Sequence, residues 1–470
     1  MLSKNKRTKT FEIATHWINK DQHELLELLE KLETPFVSTV LQGSVIKEWN
    51  GKEICEHRLG MLSDLSFSEQ LELACFLVKV ETYCVNLEKT WDRILINKLA
   101  SITFQEYINQ NLHSDKVKCF IEYVVLITCA IPPDKISAFF YIFYCLSNRS
   151  LVDQMVSEKG TNRYRIKSSH KNLCERLVEK VDPNIIFFGE PVLEVGVSSK
   201  FVKVSTIYDE VNCLALIVAI PPSDLLKIKF KPKLPHTIMD SIYNTISRNV
   251  TTFIATYQEE FWRKNGFTGE VYVFDRNCSE GPIVICSGLT PEKPALVGRL
   301  YGGRPTTDKK HMYRDAVLNQ LKSYFGKEAL QPLDYYEKTW RENECMMPVW
   351  EVNNCEYIDC FRVPAGRIFW AGADTSFDWY GSLAGAVCSG IKAGIQVLYD
   401  MRPATLTPED MDVLTLSKSD RRHRRTQYEQ GGLSLGLYYY AASNWKKYIY
   451  SVFVLMFVLW ALKKILWKRK

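Results

Sequence analysis

Several features that would indicate a function directly are missing from this 470-residue sequence. Its 14 cysteines include no pair at Cys-x-x-Cys spacing, which argues against a zinc ribbon or a thioredoxin-like redox site. No basic stripe is interleaved with aromatic residues, and the net charge is only +6, so nucleic acid is not an expected partner. The basic N-terminal residues lack the apolar stretch of a signal peptide, and the scattered thiols fit a reducing, cytosol-facing location. We expect no metal site.

The sequence also lacks Gly-x-Gly-x-x-Gly, the fingerprint that follows the first strand of a dinucleotide-binding βαβ unit. In that unit, glycine lets the backbone approach a pyrophosphate group at a helix N-terminus. A chain without this loop lacks a common anchor for a dinucleotide. Weak or absent binding of such a cofactor is therefore one expectation.

The composition is that of a globular protein, with 46% hydrophobic and 24% charged residues and enough length for two or more domains. Residues 22–32 predict an amphipathic helix, and residues 36–54 predict a hairpin that turns at Asn50-Gly51. Two apolar stretches, 120–131 and 138–146, are shorter than a membrane span needs, so we expect buried helices there. A run of strands is predicted over 185–220.

The most informative stretch is 367–399, where a short apolar strand ends in Ala-Gly-Ala-Asp and a helix begins near Gly381. The first turns of that helix are rich in glycine, alanine and serine, and each glycine costs about 1 kcal/mol relative to alanine. We therefore predict that the backbone lies close to a flat partner, to which the helix N-terminus offers unpaired N–H groups. A tightly packed strand–helix pair without a ligand is the alternative.

This stretch resembles the flavin-contacting segment of flavin-dependent amine oxidases, and of monoamine oxidases in particular. The matching motifs are Ala-Gly-Ala-Asp at 371–374, Trp-Tyr-Gly at 379–381 and Gly-Ala at 385–386. Further matches are Val-Leu-Glu-Val at 192–195 and Val-Ala-Ile-Pro-Pro at 218–222. The resemblance implies an α/β (α+β) fold in which an FAD-type domain is interleaved with a helical, mixed-sheet substrate domain. It also implies FAD as cofactor and oxidation of a small amine by O2 to an aldehyde, ammonia and H2O2.

The resemblance assigns site positions residue by residue. The implied cofactor-binding residues are Val192, Cys345, Ala371, Gly372, Asp374, Trp379, Gly381 and Leu383. Cys345 matches a cysteine that bonds covalently to the flavin, with Cys355 and Cys360 as alternatives and a buried free thiol as the plain interpretation of each.

Several family residues are replaced in this chain. Thr252 stands where the family has an active-site lysine, and Ser382 stands where one wall of its aromatic cage is a tyrosine. Two further glycine-rich contacts are replaced at 14–16 and 167–170. Two hypotheses follow: a membrane-anchored amine oxidase, or a catalytically inactive homologue with a degraded FAD site that acts by binding.

The implied domain boundaries interleave along the chain. They are 1–36 for a remnant of the FAD-binding domain, 37–168 and 242–342 for the substrate domain, 169–241 and 343–402 for further FAD-binding parts, 403–447 for a basic linker, and 448–467 for a transmembrane tail anchor.

The tail carries the membrane signal. Residues 448–462 form an apolar run with lysines on both sides, about 22 Å long as a helix, and extension to 467 brings it near the ~30 Å of a bilayer core. We predict a C-terminal anchor, like the one that holds monoamine oxidases in the outer mitochondrial membrane facing the cytosol. An amphipathic or buried terminal helix is the alternative. The basic run 418–425 predicts a solvated face or contact with anionic lipid. A homodimer is expected from the resemblance alone.

Overall fold

In a computed structural model of the chain, the residues described are 17–19, 21–38, 43–49, 53–57, 65–151, 164–166, 170–246, 249–274, 283–287, 294–301, 313–340 and 347–415. They belong to a compact unit, Met1–Leu414, and only Thr415 of the second unit, Thr415–Lys470, is among them. Cys345 and the predicted anchor at 448–467 lie outside the described residues.

Helices and strands alternate irregularly along the chain. The helices are α1 His23–Lys31, α2 Phe67–Thr90, α3 Arg93–Ala100, α4 Phe104–Asn111, α5 Asp115–Cys129, α6 Ala138–Ser147, α7 His170–Glu179, α8 His236–Tyr243, α9 Phe261–Lys264, α10 Arg314–Phe325, α11 Tyr357–Cys360, α12 Leu383–Met401 and α13 Pro408–Thr415. The strands are β1 Trp17–Ile18, β2 Phe36–Ser38, β3 Ser44–Trp49, β4 Glu53–His57, β5 Tyr164–Ile166, β6 Val192–Val197, β7 Val202–Thr206, β8 Glu210–Cys213, β9 Leu216–Val218, β10 Lys229–Lys231, β11 Thr245–Ile246, β12 Val250–Thr256, β13 Phe267–Phe274, β14 Ile283–Ser287, β15 Ala295–Tyr301, β16 Asp334–Trp340, β17 Val349–Trp350 and β18 Ile368–Trp370.

The large sheet has its strands in the order β16-β12-β15-β14-β13-β3-β4. It is mixed, because β13 pairs with β3 in parallel while the other neighbours are antiparallel. Successive side chains of a strand point to opposite faces. Phe253 and Ala255 accordingly pack on one face in the core that includes α10, while Ile254 packs with Val297 on the other face.

The second face of the large sheet lies against the helical core. The hydroxyl of Tyr301 donates to the carbonyl of Ile127 in α5 at 3.2 Å, and the rings of Tyr123 and Tyr272 meet edge to face. The segment of α6 from Ala138 to Leu146 is almost completely buried, since only Tyr144 is partly exposed. The two apolar stretches are thus buried helices, as predicted.

A smaller sheet has the order β10-β6-β7-β8, and β9 pairs in parallel with β18. Helix α1 and the β3–β4 hairpin confirm the predicted helix at 22–32 and the predicted hairpin. None of the helices in the described part combines the length and the hydropathy needed to cross a bilayer. The interleaved domain boundaries stay a prediction.

Candidate active site

The strand end at β18 is held by both a neighbouring strand and a helix. The N–H of Ala371 donates to the carbonyl of Val218 at 2.9 Å, which extends the β9–β18 pairing by one residue. The next residue, Gly372, has a φ of +136°, and its N–H donates to the hydroxyl of Ser389 in α12 at 2.9 Å. Among the described residues, and apart from its two chain neighbours, nothing lies within 4 Å of where a β-carbon of Gly372 would be.

The turn before α12 is fixed by the C-terminal end of α6. The N–H of Trp379 donates to the carbonyl of Ser147 at 3.0 Å, and the N–H of Tyr380 donates to the Ser147 hydroxyl at 2.7 Å. Gly381 follows with a φ of +72°, and its N–H donates to the carbonyl of Ala373 at 3.0 Å. This turn therefore joins the helical core to the strand end at Gly372.

Ser382 is the N-cap of α12. Its hydroxyl accepts the N–H of Gly385 at 3.1 Å and donates to the carbonyl of Trp379 at 2.6 Å. Such a cap contributes about 1 kcal/mol to stability. The structure thus gives Ser382 a backbone role at the position where the resemblance places an aromatic wall.

The small residues of α12 mostly face the protein itself. A β-carbon on Gly385 would lie 2.3 Å from the carbonyl oxygen of Trp379, and Ala384 and Ser389 are buried. The larger Ile391 and Leu398 are 44% and 42% exposed. Gly385 is therefore small because the backbone of the preceding turn packs against it. This agrees with the alternative prediction of tight packing without a ligand.

Gly381 is different because it is exposed. The side chain of Met347 lies beside it, and a β-carbon on Gly381 would come within 2.2 Å of the Met347 Sδ. The N–H groups of Leu383 and Ala384, in the first turn of α12, have no acceptor among the described residues. Exposed backbone and unpaired donors remain together at this helix end.

Asp374 lies between the strand end and the turn, in a short 3-10 turn, Ala373–Thr375. Burial raises the pKa of its carboxyl to about 6, and no described residue donates a hydrogen bond to it. The pKa values of Tyr357 and Tyr380 are raised mainly by burial, with the nearby Asp374 charge adding to the effect. The carboxyl of Asp374 therefore takes up a proton more readily than an ordinary aspartate does.

Behind the turn lies an aromatic cluster that sequence reasoning missed. The Tyr380 hydroxyl donates to the carbonyl of Pro348 at 2.8 Å and accepts from Nε1 of Trp350 at 3.2 Å. The rings of Phe140 and Phe143 lie 6.0 and 5.7 Å from that of Tyr380. The dense aromatic content of α6 was the available signal, but its partners are more than 200 residues away.

Val192 lies apart from this turn, at the start of β6. It lines a cavity of about 540 Å³ whose walls are mostly apolar, including Val204, Val218 and Phe230. Val218 belongs to β9, the strand paired with β18. The cavity at Val192 and the strand end at Gly372 are therefore connected through one pair of strands.

Thr252 lies on the large sheet, in the buried strand β12. It is 4% exposed and stands directly opposite Arg299 of β15 and Lys338 of β16. Its hydroxyl forms no hydrogen bond within the described part of the chain. The short side chain of threonine carries no charge.

The alternative cysteines show no sign of activation. Burial is the main cause that raises the pKa of Cys355 and of Cys360, which keeps both as thiols near neutral pH. Over the described ranges, no group of histidine, cysteine, aspartate or glutamate residues could hold a metal ion.

The family model "Flavin containing amine oxidoreductase" matches residues 128–398, more than half of the chain. The chain belongs to the flavin-containing amine oxidoreductase family, whose cofactor is FAD.

The named proteins that this chain resembles are distant from it in sequence. The chain is 24% identical over 404 residues to "Probable flavin-containing monoamine oxidase A" of Dictyostelium discoideum, covering 82% of this chain and 87% of the relative. It is 24% identical to the flavin-containing amine oxidase of Oncorhynchus mykiss, over 67% of this chain but only 62% of that relative. Among solved structures, cyclohexylamine oxidase from Brevibacterium oxydans IH-35A matches with a TM-score of 0.76 at 17% identity, covering 84% and 89% of the two chains. Putrescine oxidase bound to putrescine matches with a TM-score of 0.74 at 18% identity, over 85% of this chain and 90% of that one.

The residues present fit the ring end of FAD. The open space at Gly372, the exposed Gly381 and the unpaired N–H groups of Leu383 and Ala384 are what a flat ring with carbonyl oxygens requires. At the phosphate end, the whole sequence contains no Gly-x-Gly-x-x-Gly.

Proposed function

We propose that the chain binds FAD and oxidises a small amine. The observation that carries this proposal is the helix end at 381–384, where exposed glycine backbone meets two N–H groups without an acceptor. Unpaired donors at a helix N-terminus are commonly satisfied by a ligand. Because family membership names the cofactor, a carbonyl oxygen of the flavin is the acceptor we assign to the N–H of Leu383.

When bound, FAD would supply the redox chemistry: it would accept two electrons and two protons from the amine and pass them to O2, which would give H2O2 and an imine that water hydrolyses to a carbonyl compound and ammonia. Gly381 and Leu383 would hold the ring through backbone contacts, and Gly372 would leave room for it. Val192 would line the adenosine end. The Asp374 carboxyl, with its raised pKa, would donate or accept a proton near neutral pH.

The second candidate is a non-enzymatic homologue that acts by binding. Two replacements favour it. Thr252 has no positive charge where the family has a lysine, and the Ser382 hydroxyl caps α12 where the family has a tyrosine of the aromatic cage. Met347 beside Gly381 also narrows the space on that side. In this case the fold would be retained and FAD would bind weakly or not at all.

A single proline substitution that removes the N–H of Leu383 tests the assigned contact. Leu383 is the first residue of α12 and follows an extended Ser382, so Leu383→Pro suits the helix and removes only one N–H and a side chain. Leu383→Ala controls for the side chain. Phe67→Pro, at the first position of α2 after the extended cap Ser66, controls for proline itself.

FAD affinity of the full chain is measured by titration of flavin fluorescence. We expect Leu383→Pro to weaken binding about tenfold, as for loss of one hydrogen bond in a dry site, while both controls stay near wild type. Equal affinity in all four proteins would refute the assigned contact. A folded, colourless wild type that does not bind added FAD would instead establish the second candidate.

We further propose that residues 448–467 anchor the chain in the outer mitochondrial membrane, with 418–425 against anionic headgroups. The support is the apolar run with flanking lysines and its resemblance to the monoamine oxidase tail. Deletion of 448–470 should move the protein from the mitochondrial membrane fraction to the supernatant after alkaline extraction. Continued sedimentation of the truncated chain would contradict the proposal. The homodimer and the choice of amine rest on the resemblance alone.

A further inference from the structure

The small sheet β10-β6-β7-β8 has one polar face and one apolar face. On the polar face, Glu194 pairs with Lys231 at 2.6 Å. A row of apolar side chains crosses the other face, because its members stand opposite one another in register: Phe230, Val195, Val204 and Val211. Val195 is 1% exposed, whereas Val211 on the edge strand β8 is 50% exposed. The rest of the protein therefore covers only part of the apolar face.

The uncovered part of this face continues onto β9. The cavity at Val192 is lined by Leu193 of β6 and also by Ile217 and Ile220, in β9 and just after it. The side chains of these last three residues are 48%, 40% and 37% exposed. One apolar surface therefore joins the small sheet to β9. We call the surface formed by Leu193, Val211, Ile217 and Ile220 the open face.

The stretch of chain around the open face exposes enough apolar area for a protein partner. Twelve of the twenty-eight exposed large hydrophobic side chains of the described residues fall within 185–226. With about half of a 150–250 Å² side chain exposed in each, they offer roughly 1,000 Å². The largest apolar patch on a typical monomer is about 300–600 Å², whereas each partner in a stable complex buries about 800 Å². An interface with another chain accounts for this area.

One edge of β9 lacks a neighbouring strand in the described part of the chain, where β9 pairs only with β18. On the side of β18, the N–H of Leu216 donates to the carbonyl of Arg367 at 2.9 Å. The carbonyl of Val218 likewise accepts the N–H of Ala371 at 2.9 Å. Because alternate residues of a strand direct their backbone groups to opposite edges, those of Ile217 point away from β18. They have no hydrogen-bond partner among the described residues.

Nothing in the sequence of this edge opposes pairing with another strand. Exposed strand edges are commonly protected by charged residues or proline. Residues 214–220 are all apolar and include neither. At the rim of the cavity, Lys227 pairs with Asp224 at 2.6 Å, so these two charges offset each other. Such a surface favours an apolar polypeptide partner over a strongly charged one such as nucleic acid or an anionic membrane.

An identical strand fits the free edge of β9. In an antiparallel pair, two residues that turn their N–H and C=O groups toward each other exchange two hydrogen bonds. When Ile217 lies opposite its own counterpart in a second copy, one two-fold axis satisfies both groups in both chains. The same axis brings the two open faces together, so that each covers the other.

We propose that a second copy of the chain binds to the open face, with the two β9 strands antiparallel about a two-fold axis at Ile217. Leu193 and Ile220 of each chain become buried in this contact. The second copy also covers the mouth of the cavity at Val192. The inference is independent of the proposed amine oxidation, because neither FAD nor an amine takes part in the contact.

Analytical ultracentrifugation of the full chain without FAD measures the self-association. A detergent matched in density to the buffer is used, because a tail anchor is proposed at 448–467. Ile217→Lys and Leu193→Lys each place a charge on the open face, where lysine opposes pairing. Ile94→Lys is the matched control, since Ile94 is 82% exposed on α3 and lies outside the open face. Circular dichroism checks that each variant is folded, and two positions are used so that one folded variant suffices.

We expect wild type and Ile94→Lys to form a dimer with the same Kd, of about 1 μM or below. Ile217→Lys and Leu193→Lys should each weaken the dimer at least about tenfold. Hydrogen exchange of peptides that cover 214–221, read by mass spectrometry, tests the strand pairing itself. This exchange should slow in wild type and Ile94→Lys as the protein concentration rises through the Kd, and should not change in Ile217→Lys.

Several results would overturn the proposal. A monomeric wild type, oligomers that grow without limit, or a dimer that both lysine variants leave intact would exclude a two-fold contact at the open face. The last of these results would place the association elsewhere, for example at the tail. A dimer whose exchange over 214–221 does not depend on concentration would exclude the pairing of β9. Because no FAD or amine is present, these outcomes are separate from failure of the proposed oxidation.

Discussion

The thioether of Met347 lies where the β-carbon of any residue larger than glycine would fall at position 381. Gly381 itself has a φ of +72°, a conformation that L-amino acids other than glycine seldom adopt. Two separate constraints therefore keep this position small. They make the turn between strand β18 and helix α12 the most sensitive part of the proposed site.

Substitution of Gly381 by alanine should have two effects. The backbone strain should destabilise the fold by about 1–2 kcal/mol. The side chain of Met347 must also shift away from residue 381, where the proposed ring contact lies. Gly366→Ala is a matched control, because Gly366 also has a positive φ of +64° and is exposed, with open space around it. Both variants should unfold at lower urea concentrations than wild type, Gly366→Ala by no more than Gly381→Ala, and only Gly381→Ala should weaken FAD binding. Equal FAD affinity of the two would count against the proposed ring position.

Ser382 should behave as a cap. We expect Ser382→Ala to lower the free energy of unfolding by about 1 kcal/mol, because the N–H of Gly385 loses its acceptor. Ser382→Asp keeps an acceptor and should stay close to wild type. Urea denaturation of the three proteins measures the difference. A wild-type stability for Ser382→Ala would show that the capping bond contributes nothing.

Glu270 should make stability depend on pH. Burial raises the pKa of its carboxyl to about 7 from an ordinary value of 4.5, so the folded state binds the proton more tightly than the unfolded state does. Its contribution is therefore most favourable below pH 4.5 and is lost as pH rises through 7, by about 3 kcal/mol in all. Glu270→Gln should be more stable than wild type at pH 8 and should lose this part of the pH dependence.

Urea denaturation at pH 5 and pH 8 would check that prediction. The exposed Glu328→Gln serves as the control and should keep the wild-type pH dependence. If Glu270→Gln and Glu328→Gln give the same difference between the two pH values, the Glu270 carboxyl is already ionised at low cost in the folded protein.

Tyr380 should matter for stability through its hydroxyl. Tyr380→Phe leaves the buried Nε1 of Trp350 without its acceptor, and an unpaired buried donor costs about 1–3 kcal/mol. The variant Trp350→Phe removes that donor. In a protein that already carries Trp350→Phe, Tyr380→Phe should therefore lower the free energy of unfolding by less than it does in wild type. Urea denaturation of wild type, the two single variants and the double variant measures this coupling. If the two single-variant losses in free energy of unfolding simply add up in the double variant, the coupling is absent.

Local patterns predicted much of the fold. The period of the apolar residues located α1, two short continuous apolar stretches located α5 and α6, and Asn50-Gly51 located the β3–β4 hairpin, because these signals lie within short windows. The strand end at Gly372 and the helix after Gly381 were likewise visible as a motif.

Contacts between distant segments could not be predicted in this way. The hydrogen bonds of Ser147 to the turn at 379–380 and the approach of Met347 to Gly381 depend on tertiary packing. The small residues of α12 gave an ambiguous signal, because close packing against another backbone segment and close approach of a ligand both require small side chains. In the structure, Gly385 packs against the backbone of Trp379. The register that places Arg299 and Lys338 beside Thr252 joins three separate strands, which no single window of sequence reveals.

The most direct measurement is the visible absorbance spectrum of the purified full chain, recorded before and after incubation with excess FAD and removal of the unbound cofactor. We predict the spectrum of bound oxidised flavin, and its loss of absorbance when an amine substrate is added without oxygen. A folded protein that stays colourless after incubation would contradict binding of FAD at the helix end 381–384.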